Sequence, residues 1–283
     1  MTLAVRQTGA FVQAAAGYRF RLVSEPAERE PCGTIVFVHA FAEEMNKSRR
    51  MAARMARMFA ADGWRVVQRD LCGCGDSSGE FGDATWEAWI YDVRAEFASP
   101  ELIGPVWFWS LRAGALLASS VLADQPHTNL LLWQPVASGA QHLQQFLRLQ
   151  AGARIVGSAK ADDSQSPAQL LRAGATVEVG GYDINPALAA GLQKAALAVP
   201  EAFSGRIVWL EVSPDDAPEL SPQAQRLIEP LRARGVSVEA QALNGPPFWQ
   251  TQEIEECEAL LDHTLATIRH EEIVGEQMLG ANT

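Results

Sequence analysis

The chain has 283 residues, 48% of them apolar and 20% charged, with a formal net charge of −11 at pH 7. That apolar content excludes a disordered chain, and ordinary glycine and proline usage excludes a collagen-like one. The acidic balance, unbroken by any Lys/Arg block, excludes a nucleic-acid binder, because such a surface repels phosphate.

Residues 11–23 read as two short strands turning near Gly17. Thr34 to His39 is a continuous β-branched and aromatic run, the pattern of a strand buried on both faces. Met51, Met55, Met58 and Phe59 recur at helical spacing and predict a helix over 46–62 that Gly63 closes. A strand over 65–69 follows. Next come a helix over 86–97 with Trp86, Trp89, Ile90, Val93 and Phe97 on one face, a strand over 106–109, a helix over 113–123 and a strand over 130–133. After Pro135 the alternation stops. The stretch to about Pro200 is rich in Gln, Ala and Gly, with a helical segment at Gln144 to Leu149 and a strand-like one at Thr176 to Val179. Alternation resumes with a strand over 207–212, a helix over 222–234, a strand over 236–243 and a closing helix over 253–271, fraying after Val274. Strands alternating with helices imply a mostly parallel sheet. The expected organisation is one core from residues 1–135 and 205–283, with 136–204 inserted as a cap over one end of the sheet.

Four cysteines are too few to staple a fold of this size, and no second Cys or His pair completes a zinc pattern. No metal or cofactor is expected. The N-terminus lacks a basic start followed by a long apolar run, and the apolar stretch Val106 to Leu122 carries Arg112. A cytoplasmic protein without a membrane span is therefore expected, with a homo-oligomer left open.

Ligands of open parallel sheets bind beyond the carboxyl ends of the strands. The informative stretches are His39 to Glu44, Asp70 to Gly79, Ser110 to Gly114, Ser213 to Asp216 and Asn244 to Phe248. In that order they resemble the α/β-hydrolase fold over about residues 30–135 and 205–270. His39-Ala40-Phe41 is similar to the loop that helps build an oxyanion hole. Asp70 to Ser77 is similar to the Asp-x-x-Gly-x-Gly-x-Ser loop, Ser110 to Gly114 falls at the nucleophile elbow, and Asp216 falls where the acid sits. More narrowly, the runs His39 to Met51, Gly73 to Ser77 and Gln145 to Leu149 resemble the type 2 hydrolases associated with exosortase A systems. That resemblance implies an ester or thioester hydrolase, or an acyl-transfer protein, linked to exopolysaccharide production.

The departures from the pattern carry as much information. A nucleophile elbow, Gly-x-Ser-x-Gly, needs small flanks to turn sharply from strand to helix. With Ser110 as nucleophile the flanks would be Phe108 and Arg112, which do not suit the turn. With Ser110 and Gly114 as flanks, Arg112 takes the nucleophile position, and a guanidinium cannot attack a carbonyl. The loop after the last strand, Asn244-Gly-Pro-Pro-Phe-Trp249, holds no histidine. His142 lies in the insertion and reaches the site only if the cap folds over it.

Arg112 is expected to anchor a charge network with Glu43, Glu44, Asp70 or Asp76, or to hold a carboxylate or phosphate. Cys74, in a Gly-flanked loop, is the alternative nucleophile if a base or cation lowers its pKa; otherwise it fills a tight turn. The catalytic candidates are thus Cys74, Arg112 and Asp216. His39, Phe41, Glu43, Glu44, Asp76, Ser110 and Leu111 are the pocket candidates. Two functions follow: an enzyme with a non-standard site, or a protein that keeps the pocket for an acyl or anionic ligand, or a protein partner, and has lost the chemistry.

Overall fold

A computed structural model describes residues 4–156 and 165–268. An eight-stranded sheet runs through them in the order β1-β2-β4-β3-β5-β6-β9-β10. Its strands are β1 (Val5–Gln13), β2 (Tyr18–Pro26), β3 (Thr34–Val38), β4 (Arg65–Arg69), β5 (Val106–Leu111), β6 (Asn129–Trp133), β9 (Arg206–Ser213) and β10 (Ser237–Asn244). The six strands from β4 to β10 are parallel, while β1 and β2 form an antiparallel hairpin added at the β4 edge. Every residue of β3 is buried, as its unbroken apolar run requires.

Helices cover both faces. On one lie α1 (Glu43–Asp62) and a last helix, α8, over 258–268. Met51, Met55 and Phe59 of α1 pack there against Trp107, Trp109 and Trp133, all essentially solvent-free. On the other lie α2 (Trp86–Phe97), α3 (Ala118–Leu122) and α7 (Pro222–Ala233), where Trp86, Trp89, Val93 and Phe97 meet Phe108. Trp86, Trp89, Trp107, Trp109, Trp133, Trp209 and Trp249 are all buried, as packing residues should be. Among the described residues no helix is long and apolar enough to cross a membrane.

Between β6 and β9 the chain forms α4 (Gly139–Val156), α5 (Pro167–Arg172), the β7–β8 hairpin (Val177–Val179 and Tyr182–Ile184) and α6 (Pro186–Lys194). Gly191 of α6 lets this segment press onto α2, since a Cβ there would stand 2.1 Å from that of Trp86.

Two elements differ from expectation. The turn after β5 is a 3-10 helix, Arg112–Leu117, before α3 begins. The reason is close packing: a Cβ on Gly114 would lie 2.6 Å from the carbonyl oxygens of Val38 and His39. The closing helix starts at 258, not 253, because Glu256 is drawn to Arg50 and Arg54 of α1. Its expected end beyond 268, and the fraying after Val274, lie outside the described residues.

Candidate functional site

Three strand ends on the carboxyl side of the sheet carry non-glycine residues in the left-handed region: Ala42 (φ 50°), Arg112 (φ 53°) and Gln134 (φ 44°). Such backbone costs about 1–3 kcal/mol and persists only where surrounding contacts enforce it. For Gln134 those contacts are plain. Its N–H donates to Leu210 O at 2.7 Å and its side-chain oxygen accepts from Val212 N at 2.6 Å, tying β6 to β9.

Arg112 is held from two sides. Its Nε donates to Glu44 Oε1 at 3.1 Å, with Nη2 3.0 Å from the same oxygen. The guanidinium also lies over the Trp249 ring, 5.4 Å from its centroid. Glu44 is in the first turn of α1, where a carboxylate suits the helix dipole. Trp249 lies in the loop that follows β10. The pair is largely withdrawn from solvent, with side-chain exposures of 17% for Arg112 and 19% for Glu44. Burial pushes the Glu44 carboxyl above the usual carboxylate range, and Arg112 opposes that shift.

The segment between β6 and β9 closes the site. His142 of α4 lines a cavity of about 290 Å³ together with Phe41, Glu43, Glu44, Lys47 and Arg112. Phe146 and Trp249 supply further aromatic wall. The His142 ring meets Phe41 edge-on at 5.8 Å and is 5% exposed. Burial, and then the Arg112 charge, hold its pKa down at about 3, so the ring is neutral near pH 7. Neither ring nitrogen has a hydrogen-bond partner among the described residues, and neither does Glu44 Oε2. The β7–β8 hairpin fastens the same rim. Tyr182 donates its hydroxyl to Glu43 at 3.1 Å and accepts from Asn46 at 2.6 Å.

Phe41, Glu43, Glu44 and Arg112 thus meet around one cavity. The other sequence candidates stand elsewhere. His39 is a loop brace: Nδ1 lies 2.8 Å from Ala40 O, while Nε2 accepts from Leu71 N at 3.3 Å. That pattern puts the proton on Nδ1, and burial lowers the pKa. Ser110 and Leu111 are sealed inside β5, and the Ser110 hydroxyl is buried without a partner among the described residues.

Cys74 is not displayed for attack. It is 3% exposed within the core, and burial, with Asp70 next, pushes its thiol far above the ordinary range. Its Gly-flanked sequence suggested exposure, but the glycines serve the turn, with Gly73 at φ 70° and Gly75 at φ 55°. Asp76 points outward, its N–H given to Asp70 Oδ2 at 3.0 Å. Asp216 is exposed beyond β9 and does not line the cavity. From sequence His142 was expected to reach the site only if the segment after β6 folds over it, and it does line the cavity; its signal was position alone, one helical turn into that segment.

A second, larger cavity of about 520 Å³ lies within the insertion, between α4, α5 and α6. Leu143, Leu147 and Leu171 form its apolar floor. Helix α4 is the wall between the two spaces.

No protein-family model and no curated protein matches the chain. Solved structures do. Proline iminopeptidase from Mycobacterium smegmatis is similar at 14% identity, with 95% of this chain and 100% of that one covered and a TM-score of 0.59. A thermostable carboxyl esterase from Bacillus coagulans is similar at 14% identity, covering 95% and 98%, with a TM-score of 0.56. The alpha/beta hydrolase domain-containing protein 10 from mouse is similar at 13% identity, covering 95% and 99%, with a TM-score of 0.55.

Proposed function

We propose that this chain, which has the α/β-hydrolase fold, uses its pocket to hold a small acyl ligand by an anionic end and does not run Ser-His-Asp chemistry. The carrying observation is Arg112 itself. It sits at the strained turn after β5, φ 53°, where the fold's nucleophile would stand, and it is paired with Glu44. A nucleophile at that turn needs an imidazole within hydrogen-bond reach. Trp249 occupies the corresponding loop, with Arg112 5.4 Å from its ring centroid. Guanidinium in a partly dry, aromatic-walled cavity favours a carboxylate or phosphate. The resemblance to exosortase-associated hydrolases supports placing this role in cytoplasmic steps of exopolysaccharide production, as a protein that has kept the pocket and lost the reaction.

Two measurements on the full chain test this. 3-Phenylpropionate is expected to raise the melting temperature of the wild type saturably, and to leave that of Arg112→Gln unchanged. A panel of short- and long-chain p-nitrophenyl esters and acyl thioesters is expected to show no turnover above buffer. Turnover that Cys74→Ala or Arg112→Ala abolishes would establish the enzyme instead.

A further inference from the structure

We propose that the Arg112 cavity recognises a hydroxy acid, a carboxylate carried next to a hydroxyl, and that His142 reads the hydroxyl. This rests on the pocket being a ligand site, and it specifies what the ligand must offer.

The argument is an accounting of unmet hydrogen bonds. Buried polar atoms in folded proteins nearly always have partners, and each one left bare costs about 1–3 kcal/mol. Here three such atoms belong to residues lining one cavity: Glu44 Oε2, His142 Nδ1 and His142 Nε2. A neutral imidazole presents one N–H donor and one bare nitrogen, and a carboxylate accepts only. A ligand group that serves them must both donate and accept. A hydroxyl does; a carboxylate, a phosphate dianion or an alkyl chain does not.

The same cavity also holds cations beside these atoms. Arg112 directs Nε and Nη2 toward Glu44 Oε1, and its Nη1 makes no hydrogen bond among the described residues. Lys47 donates one N–H to Thr251 O at 2.8 Å and has two more. Phe41, Phe146 and Trp249 give the rest of the cavity an apolar wall. One molecule therefore meets these neighbouring groups with a carboxylate on Arg112 and an adjacent hydroxyl on His142 and Glu44, its carbon frame resting on the rings.

Calorimetric titration of the full chain with 3-phenyllactate and 3-phenylpropionate, which differ by one hydroxyl, tests the inference. A site built to bond a hydroxyl discriminates strongly against the analogue lacking it. The expected result is binding of phenyllactate at least ~10-fold tighter than of phenylpropionate. His142→Phe is expected to abolish that preference, bringing the two affinities within a factor of about two of each other. His142→Gln, which keeps a donor and an acceptor, is expected to retain part of the preference. Circular dichroism of each variant verifies the fold. Equal affinity for both acids, lost in Arg112→Gln, would overturn hydroxyl recognition and leave the anion pocket standing. Binding of neither acid would overturn the pocket as well.

Discussion

Glycine would occupy the backbone of position 112, at φ 53°, without strain, yet the chain places its bulkiest cation there. Replacing Arg112 alone does not isolate that strain, because it leaves the Glu44 carboxylate withdrawn from solvent and unpaired. Breaking such a pair costs about 3–5 kcal/mol, more than the roughly 1–3 kcal/mol of backbone relief. Arg112→Gly is therefore expected to melt below the wild type, and the double variant Arg112→Gly/Glu44→Gln above it. For a protein of this size each kcal/mol moves the melting temperature by roughly 2–4 °C, so calorimetry resolves the order. A double variant no more stable than the wild type would show that the turn carries no releasable strain. The strain was legible in the sequence only indirectly, from Ser110 and Gly114 as the small flanks. The partner was legible only as one of four acids, because loop carboxylates close in sequence diverge in space: Glu44 turns inward while Asp76 faces water.

Elements with strong periodicity declared themselves. The Met51, Met55, Phe59 stripe gave α1 and Gly63, at φ 115°, ends it. Inside the insertion the signals were local and short. Ser166 caps α5 by accepting from Gln169 N in a capping box, Asn185 caps α6, and Gly180-Gly181 turns the β7–β8 hairpin. All three are visible as residue patterns, but each element is too brief for periodicity to show. The 3-10 turn after β5 was hidden for another reason: its cause is contact with β3, far away in sequence. Gly114→Ala tests that cause. The added methyl would press on the Val38 and His39 carbonyls, and a loss of about 1–3 kcal/mol in urea unfolding is expected. An unchanged midpoint would mean that the turn has room to give.

Across the whole molecule the mostly parallel sheet followed from alternation, but the placement of α4 beside Arg112 did not, since nothing in a linear sequence states how far the segment between β6 and β9 reaches. That placement shapes the response to acid. His142 titrates at about 3 in the fold, against an ordinary value of 6.5. Below about pH 6.5 the unfolded chain binds a proton that the fold refuses, so stability falls as pH drops, by about 1.4 kcal/mol per unit. His39, also lowered by burial, acts in the same direction, whereas the raised Glu44 opposes it. Between pH 7 and 5, His142→Phe is expected to lose about 2 kcal/mol less than the wild type in urea unfolding. Equal losses would remove His142 from the acid response.

Helix α4 turns His142, Gln145 and Phe146 toward one chamber and Leu143, Gln144 and Leu147 toward the other. Its first residue, Gly139, cannot gain even a methyl group, because the Leu192 carbonyl of α6 blocks it at 1.9 Å. The partition is thus pinned at one end, and tilting it would widen one compartment at the expense of its neighbour. Crowding the leucine-floored side with larger side chains from α6 would therefore be felt by whatever sits beside the guanidinium, without any change to the residues that touch it.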